Sequence, residues 1–108
     1  MYPDRYLMSL ALAPSYRGFR YLCTALELLE KDPDLLTYSC KWLYPEICKR
    51  HPGSSVIKIE RSIRTALHVI WLHNSADRLA FLLRHPPTEE PKPKQFLAYL
   101  FADYQLGS

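Results

Sequence analysis

The stretch Tyr44-Pro45-Glu46-Ile47-Cys48-Lys49-Arg50-His51-Pro52-Gly53-Ser54-Ser55-Val56-Ile57-Lys58-Ile59-Glu60-Arg61-Ser62-Ile63-Arg64 reads as two helices of unequal length joined by a tight break. Proline inside a helix costs ~3 kcal/mol but suits a first turn, so Pro45 marks either a new helix or a kinked continuation beginning at Tyr44 to Glu46. Glu46 then lies at the positive end of the helix dipole, with Lys49 and Arg50 at its negative end. Pro52 cannot continue the helix, Gly53 permits a positive φ, and Ser54 supplies a cap for the second helix. Beyond the break Val56, Ile59, Ile63, Ala66 and Ile70 alternate by three and four, an apolar stripe flanked by Leu67 and Trp71.

A short helix, a glycine-containing turn and a longer helix with a buried stripe form the layout of a helix-turn-helix, whose second helix enters the major groove of DNA. That recognition helix is expected over about 54–71. At 100° per residue Ser54, Ile57, Lys58, Arg61, Arg64, Thr65 and His68 fall on the arc opposite the stripe, and the arc is net positive. Arginine donates two hydrogen bonds to guanine O6 and N7, while lysine, serine and backbone N–H groups at a helix start hold phosphates. Glu60, nearer the core edge, accepts from a cytosine amino group or orients an arginine. Tyr44, Lys49 and Arg50 are positioned to touch the phosphate backbone, which the first helix of such a motif crosses. A solvated surface helix shows the same pattern, so periodicity and charge leave both readings open.

Toward the C-terminus the spacing predicts a helix around Ala76 to Leu83. An extended link comes next, from His85 to Lys94 with Pro86, Pro87, Pro91 and Pro93, then a helix from Lys94 to Leu106 with Leu97, Leu100, Phe101 and Tyr104 on one side. Toward the N-terminus, Leu35 to Leu43 reads as a helix capped by Asp34, with Asp32-Pro33-Asp34 as the break before it. Phe19, Leu22, Cys23, Leu26 and Leu29 mark an amphipathic helix ending near Lys31, and Pro14 and Gly18 interrupt the pattern ahead of it. Tyr2 to Leu12 reads as a short first helix. No strand pattern emerges. The expected fold is all-α, a compact bundle of about six helices containing a helix-turn-helix, as a single domain over 1–108.

The chain has 108 residues and 48% hydrophobic content, enough for one core without metals or disulfide staples. A net charge of +3 allows a polyanionic partner without demanding one. Three cysteines without C-x-x-C spacing indicate neither a disulfide framework nor a zinc site, and Cys23 and Cys40 are read as small core hydrophobes. Trp42 and Trp71 are read as core or inter-helix anchors. His51, His68, His73 and His85 form no metal-binding pair, so no metal and no cofactor are expected. The apolar run Leu7 to Ala13 is too short to cross a bilayer and lacks a basic leader, so no membrane partner is expected. No phosphate-cradling glycine loop, carboxylate pair or motif-borne nucleophile points to an enzyme.

Tyr21-Leu22, then Leu43-Tyr44-Pro45-Glu46-Ile47, then Ile59-Glu60-Arg61-Ser62-Ile63-Arg64 and Trp71 resemble the C-terminal effector domain of stage zero sporulation protein A. Order and spacing agree without gaps from about Tyr21 to Trp71, and more loosely over nearly the whole chain. The resemblance implies a six-helix bundle in the cytoplasm, at the nucleoid, binding short operator elements in double-stranded DNA, often as tandem head-to-tail dimers, in endospore-forming Firmicutes. Glu60, Arg61 and Arg64 match that family's base-reading triplet. Ser54, Ser55, Lys58, Thr65, His68, Lys49 and Arg50 are the expected backbone contacts. Lys58 replaces the arginine usual there, Thr65 stands where histidine is frequent, and Ser54-Ser55 replace two threonines, which preserves the cap. The family's regulators carry a receiver domain for which this chain has no room, so either an excised or a free-standing effector domain is expected. The alternative is a protein-interaction module that pairs with a full-length response regulator and modulates it.

Overall fold

The computed structural model describes residues 2–107. Six α-helices appear in order: α1 (Pro3–Ser9), α2 (Arg17–Lys31), α3 (Tyr44–Arg50), α4 (Val56–His73), α5 (Ala76–Leu83) and α6 (Pro93–Leu106). A 3-10 turn (Pro33–Leu36) and a π turn (Ser39–Leu43) lie between α2 and α3, and there is no strand among the described residues. The all-α reading with about six helices therefore holds.

The centre of the bundle is the crossing of α2 and α4. Leu22, Ala25, Leu26 and Leu29 on one helix and Ile59, Ile63, Ala66 and Ile70 on the other are almost completely buried. Gly18, read from sequence as an interruption, lies inside α2 and permits this crossing. A Cβ at that position would stand 2.2 Å from the Ser62 carbonyl oxygen and 2.6 Å from the Ala66 Cβ, so only glycine fits without moving backbone. α2 begins at Arg17, so Gly18 stands in its first turn, where the helix-interior penalty of glycine does not apply.

α6 closes the core against α4 and the N-terminal helices. Phe96, Leu97 and Leu100 are fully buried, and Trp71 meets Phe96 edge-on with centroids 6.5 Å apart, the inter-helix anchor expected of it. The Tyr6 hydroxyl donates to Asp103 Oδ2 at 2.7 Å, and the Tyr104 hydroxyl donates to Glu30, tying α6 to α1 and α2. Asn74, just past α4, donates from Nδ2 to the Ile70 and Leu10 carbonyls at 2.8 Å each, ending α4 and fixing it to the α1 side.

Several expectations change. The stretch from Leu35 to Leu43 is no α-helix but the 3-10 turn and then the π turn, which runs directly into α3, so α3 begins at Tyr44 with Pro45 in its first turn. Asp32, not Asp34, caps the 3-10 turn by accepting from the Asp34 N–H at 3.2 Å. The π turn shifts the face that looks inward. Leu43 and Ser39 are buried, whereas Trp42 is 44% exposed, stacked edge-on against exposed Tyr38, and Cys40 is exposed rather than core. Cys23 is half-buried, and burial, with Asp4 and Glu27 adding to it, pushes its thiol up to about 12.

Candidate nucleic-acid interface

α3, the break at His51 to Ser54, and α4 form the helix-turn-helix, and each joint has an identifiable cause. Gly53 takes φ +88°, the left-handed turn that the sequence anticipated. The Ser54 N–H donates to the His51 carbonyl at 3.1 Å, closing the turn. The cap of α4 is Ser55 rather than Ser54: its side chain accepts from the Lys58 N–H at 3.2 Å, and the helix begins at Val56. Ser54 instead shares a 2.6 Å hydrogen bond with the Tyr21 hydroxyl, while its carbonyl accepts from the Cys48 thiol at 3.3 Å. The turn is thus tied to α2 on one side and to α3 on the other.

Packing chooses which face of α4 looks outward. With Ile59, Ile63, Ala66, Leu67 and Ile70 inside, Ile57, Lys58, Arg61, Arg64, Thr65 and His68 are exposed and Glu60 is half-buried at the edge. Arg64 Nη2 donates to Glu60 Oε1 at 2.8 Å across one turn. An exposed pair at that spacing contributes about 0.3–0.5 kcal/mol, so it orients Arg64 without locking it. Arg61 has no ion-pair or hydrogen-bond partner among the described residues. His68 differs from its neighbours, with Nδ1 2.6 Å from Glu90 of the α5–α6 link, which places a carboxylate beside the far half of the helix.

On α3, Lys49 Nζ donates to Glu46 at 2.9 Å, and Arg50 Nη1 lies 3.7 Å from Glu27 of α2, both pairs well exposed. Tyr44 is only 2% exposed. Burial raises its phenol above the ordinary tyrosine value, with Cys40 adding to the rise. It is a core residue and not the phosphate contact that the motif suggested for it.

Sequence reasoning found the α2 helix but did not place its first turn beside the helix-turn-helix. Arg17, Arg20 and Tyr21 approach the turn and, with Arg50, His51, Pro52, Gly53, Ser54 and Lys58, line a cleft of roughly 510 Å³. A second, smaller hollow beside it is lined by Tyr16, Arg17, Gly18, Arg61, Ser62 and Thr65, so Arg17 adjoins both the turn and the exposed face of α4. The available signal was local: two arginines stand in the first turn of an amphipathic helix that has no acidic residue there and no side-chain cap. No group of histidine, cysteine, aspartate or glutamate among the described residues forms a metal-holding cluster. No helix among them is long and apolar enough to cross a membrane. A family model described as "Sporulation initiation factor Spo0A C terminal" matches residues 4–103, a span that runs from α1 into α6 and includes the whole helix-turn-helix.

Proposed function

The chain belongs to the sporulation initiation factor Spo0A C-terminal family, the DNA-binding effector domain of a sporulation regulator and not an enzyme class, and from that premise we propose that it is a sequence-specific transcription regulator reading operators as a single helix-turn-helix domain. α4 enters the major groove, Glu60, Arg61 and Arg64 meet base edges, and Ser54, Ser55, Lys58, Thr65, His68, Lys49 and Arg50 hold the phosphate backbone. One observation carries the reading: an 18-residue helix buried on one face exposes an unpartnered Arg61 and a lightly paired Arg64 on the other. Such a helix is about 27 Å long against a groove about 12 Å wide, so its first half reads bases and His68, about 18 Å from Val56, reaches only the rim. The proposal extends to two copies pairing on tandem sites in the nucleoid, as the family resemblance suggests.

The experiment is selection from random-sequence duplexes with the purified chain, followed by titration of the enriched site at two salt concentrations. Arg61→Ala is expected to cost ~1–3 kcal/mol on the selected site and little on random DNA. Lys58→Ala is expected to weaken both about equally and to make the salt dependence shallower. Equal losses for the two variants on both DNAs would overturn these role assignments. Absence of any enrichment would favour the pairing module, tested by mixing with a full-length regulator without DNA.

A further inference from the structure

We infer that the cleft between the first turn of α2 and the helix-turn-helix is a cradle for one backbone phosphate of bound duplex DNA, with Arg17 and Arg20 as ligands alongside Arg50 and Lys58. The inference rests on the DNA-binding reading and deepens it, adding a third helix to the contact surface.

Charge sets this cleft apart. Four cations line it, and among the described residues the only carboxylate within 4 Å of any of them is Glu27, 3.7 Å from Arg50, a long and exposed pair. Arg17, Arg20 and Lys58 have no ion-pair partner among the described residues. Arg17 and Arg20 also occupy the positive end of the α2 dipole, where a cation is locally unfavourable and an acid or a capping side chain is the stabilising choice; neither is present. The arrangement costs stability through both like-charge repulsion and the dipole. A residue pattern that opposes local stability is characteristic of a functional site.

The floor of the cleft is crossed by hydrogen bonds between α2 and the turn. Tyr21 and Ser54 bond to each other, and Thr24 Oγ1 lies 2.8 Å from His51 Nε2, so these groups tie the floor together and the cations around it are left to meet an anion. Gly18 holds the start of α2 against Ser62, bringing Arg17 beside Arg61 and Thr65. A phosphodiester in this cleft would be held from three sides, and α4 would be fixed in angle and depth in the groove by a contact carrying no sequence information.

The test is the double variant R17A/R20A against the unmodified chain, on the selected duplex and on random duplex across a salt series. The expected result is an affinity loss of about tenfold, the same on both duplexes, with base preference unchanged and the slope of log K against log [salt] reduced by about 0.9 for the lost contact. Circular dichroism checks that both chains fold alike. If the unmodified chain binds the selected duplex and the variant binds it with the same affinity and slope, the cradle is overturned while the DNA-binding reading stands. If the unmodified chain binds no duplex, both fall. A parallel titration with inorganic phosphate at constant ionic strength follows the Gly53 and Lys58 amide resonances. Saturation by free phosphate without any effect of R17A/R20A on duplex affinity would assign the cleft to a free anion and overturn the DNA contact.

Discussion

Two glycines illustrate how one residue type meets different physical demands. Gly18 has an ordinary helical backbone and no room, since its missing Cβ would overlap the Ser62 carbonyl; Gly53 has open space and a φ of +88°. Gly18→Ala therefore forces α2 away from α4 and is expected to destabilise the fold by ~1–3 kcal/mol, the range for overpacking a tight core. Gly53→Ala strains only the turn, by about 1 kcal/mol. Urea denaturation of both variants checks this, and a Gly18→Ala midpoint equal to that of the unmodified chain would show that α2 does not pack as tightly as described. Because α2 carries Arg17 and Arg20, the Gly18 substitution is also expected to weaken DNA binding.

The recognition element depends on how its first turn is finished. Ser55 satisfies the Lys58 N–H, and Ser54 is committed to Tyr21, so the two adjacent serines do different things. Ser55→Ala is expected to cost ~0.5–2 kcal/mol through loss of the cap. Tyr21→Phe is expected to cost about 0.5–1.5 kcal/mol and to free the turn from α2. Amide hydrogen exchange separates the two: protection should fall first in the opening turn of α4 for Ser55→Ala, and at the Ser54 N–H for Tyr21→Phe. Identical exchange patterns would mean that cap and tether act as one unit.

At the scale of the whole molecule, several ionisable groups are held neutral by the core. Burial raises Tyr6, with Asp103 adding through its hydrogen bond and its charge; burial also leads for Tyr104, with Glu30 next, and for Tyr44, while Cys23 is pushed from its usual 9.0 to about 12. In each case the neutral form is favoured in the fold, whereas the unfolded chain ionises at the ordinary value. The associated stability is fully present below about pH 9 and is lost as pH rises through the folded values. Urea midpoints at pH 7.5, 9 and 10.5 should be similar for the first two and clearly lower for the third. A flat profile to pH 11 would contradict the burial of these groups.

Periodicity and chain-breaking residues alone determined the helical class, the boundary of α5, and the pairing of a short helix with a long one across Pro52-Gly53. Those signals are local: Pro45, Gly53 and the Val56-to-Ile70 stripe act over a few residues, and backbone geometry reads them directly. The exposure of Arg61 and Arg64 was legible for the same reason, because the buried stripe fixes what lies opposite it, whereas Glu60 falls half-buried at the edge of that stripe. Only the tertiary structure decided the rest. Leu35 to Leu43 has apolar residues at helical spacing, yet the chain there takes a 3-10 turn and then a π turn, which leaves Trp42 and Cys40 outside. Arg17 and Arg20 stand more than 30 positions from Ser54 and Lys58, and only the α2–α4 crossing at Gly18 gathers them around one cleft. No periodicity encodes that meeting, since it follows from the close approach of two backbones.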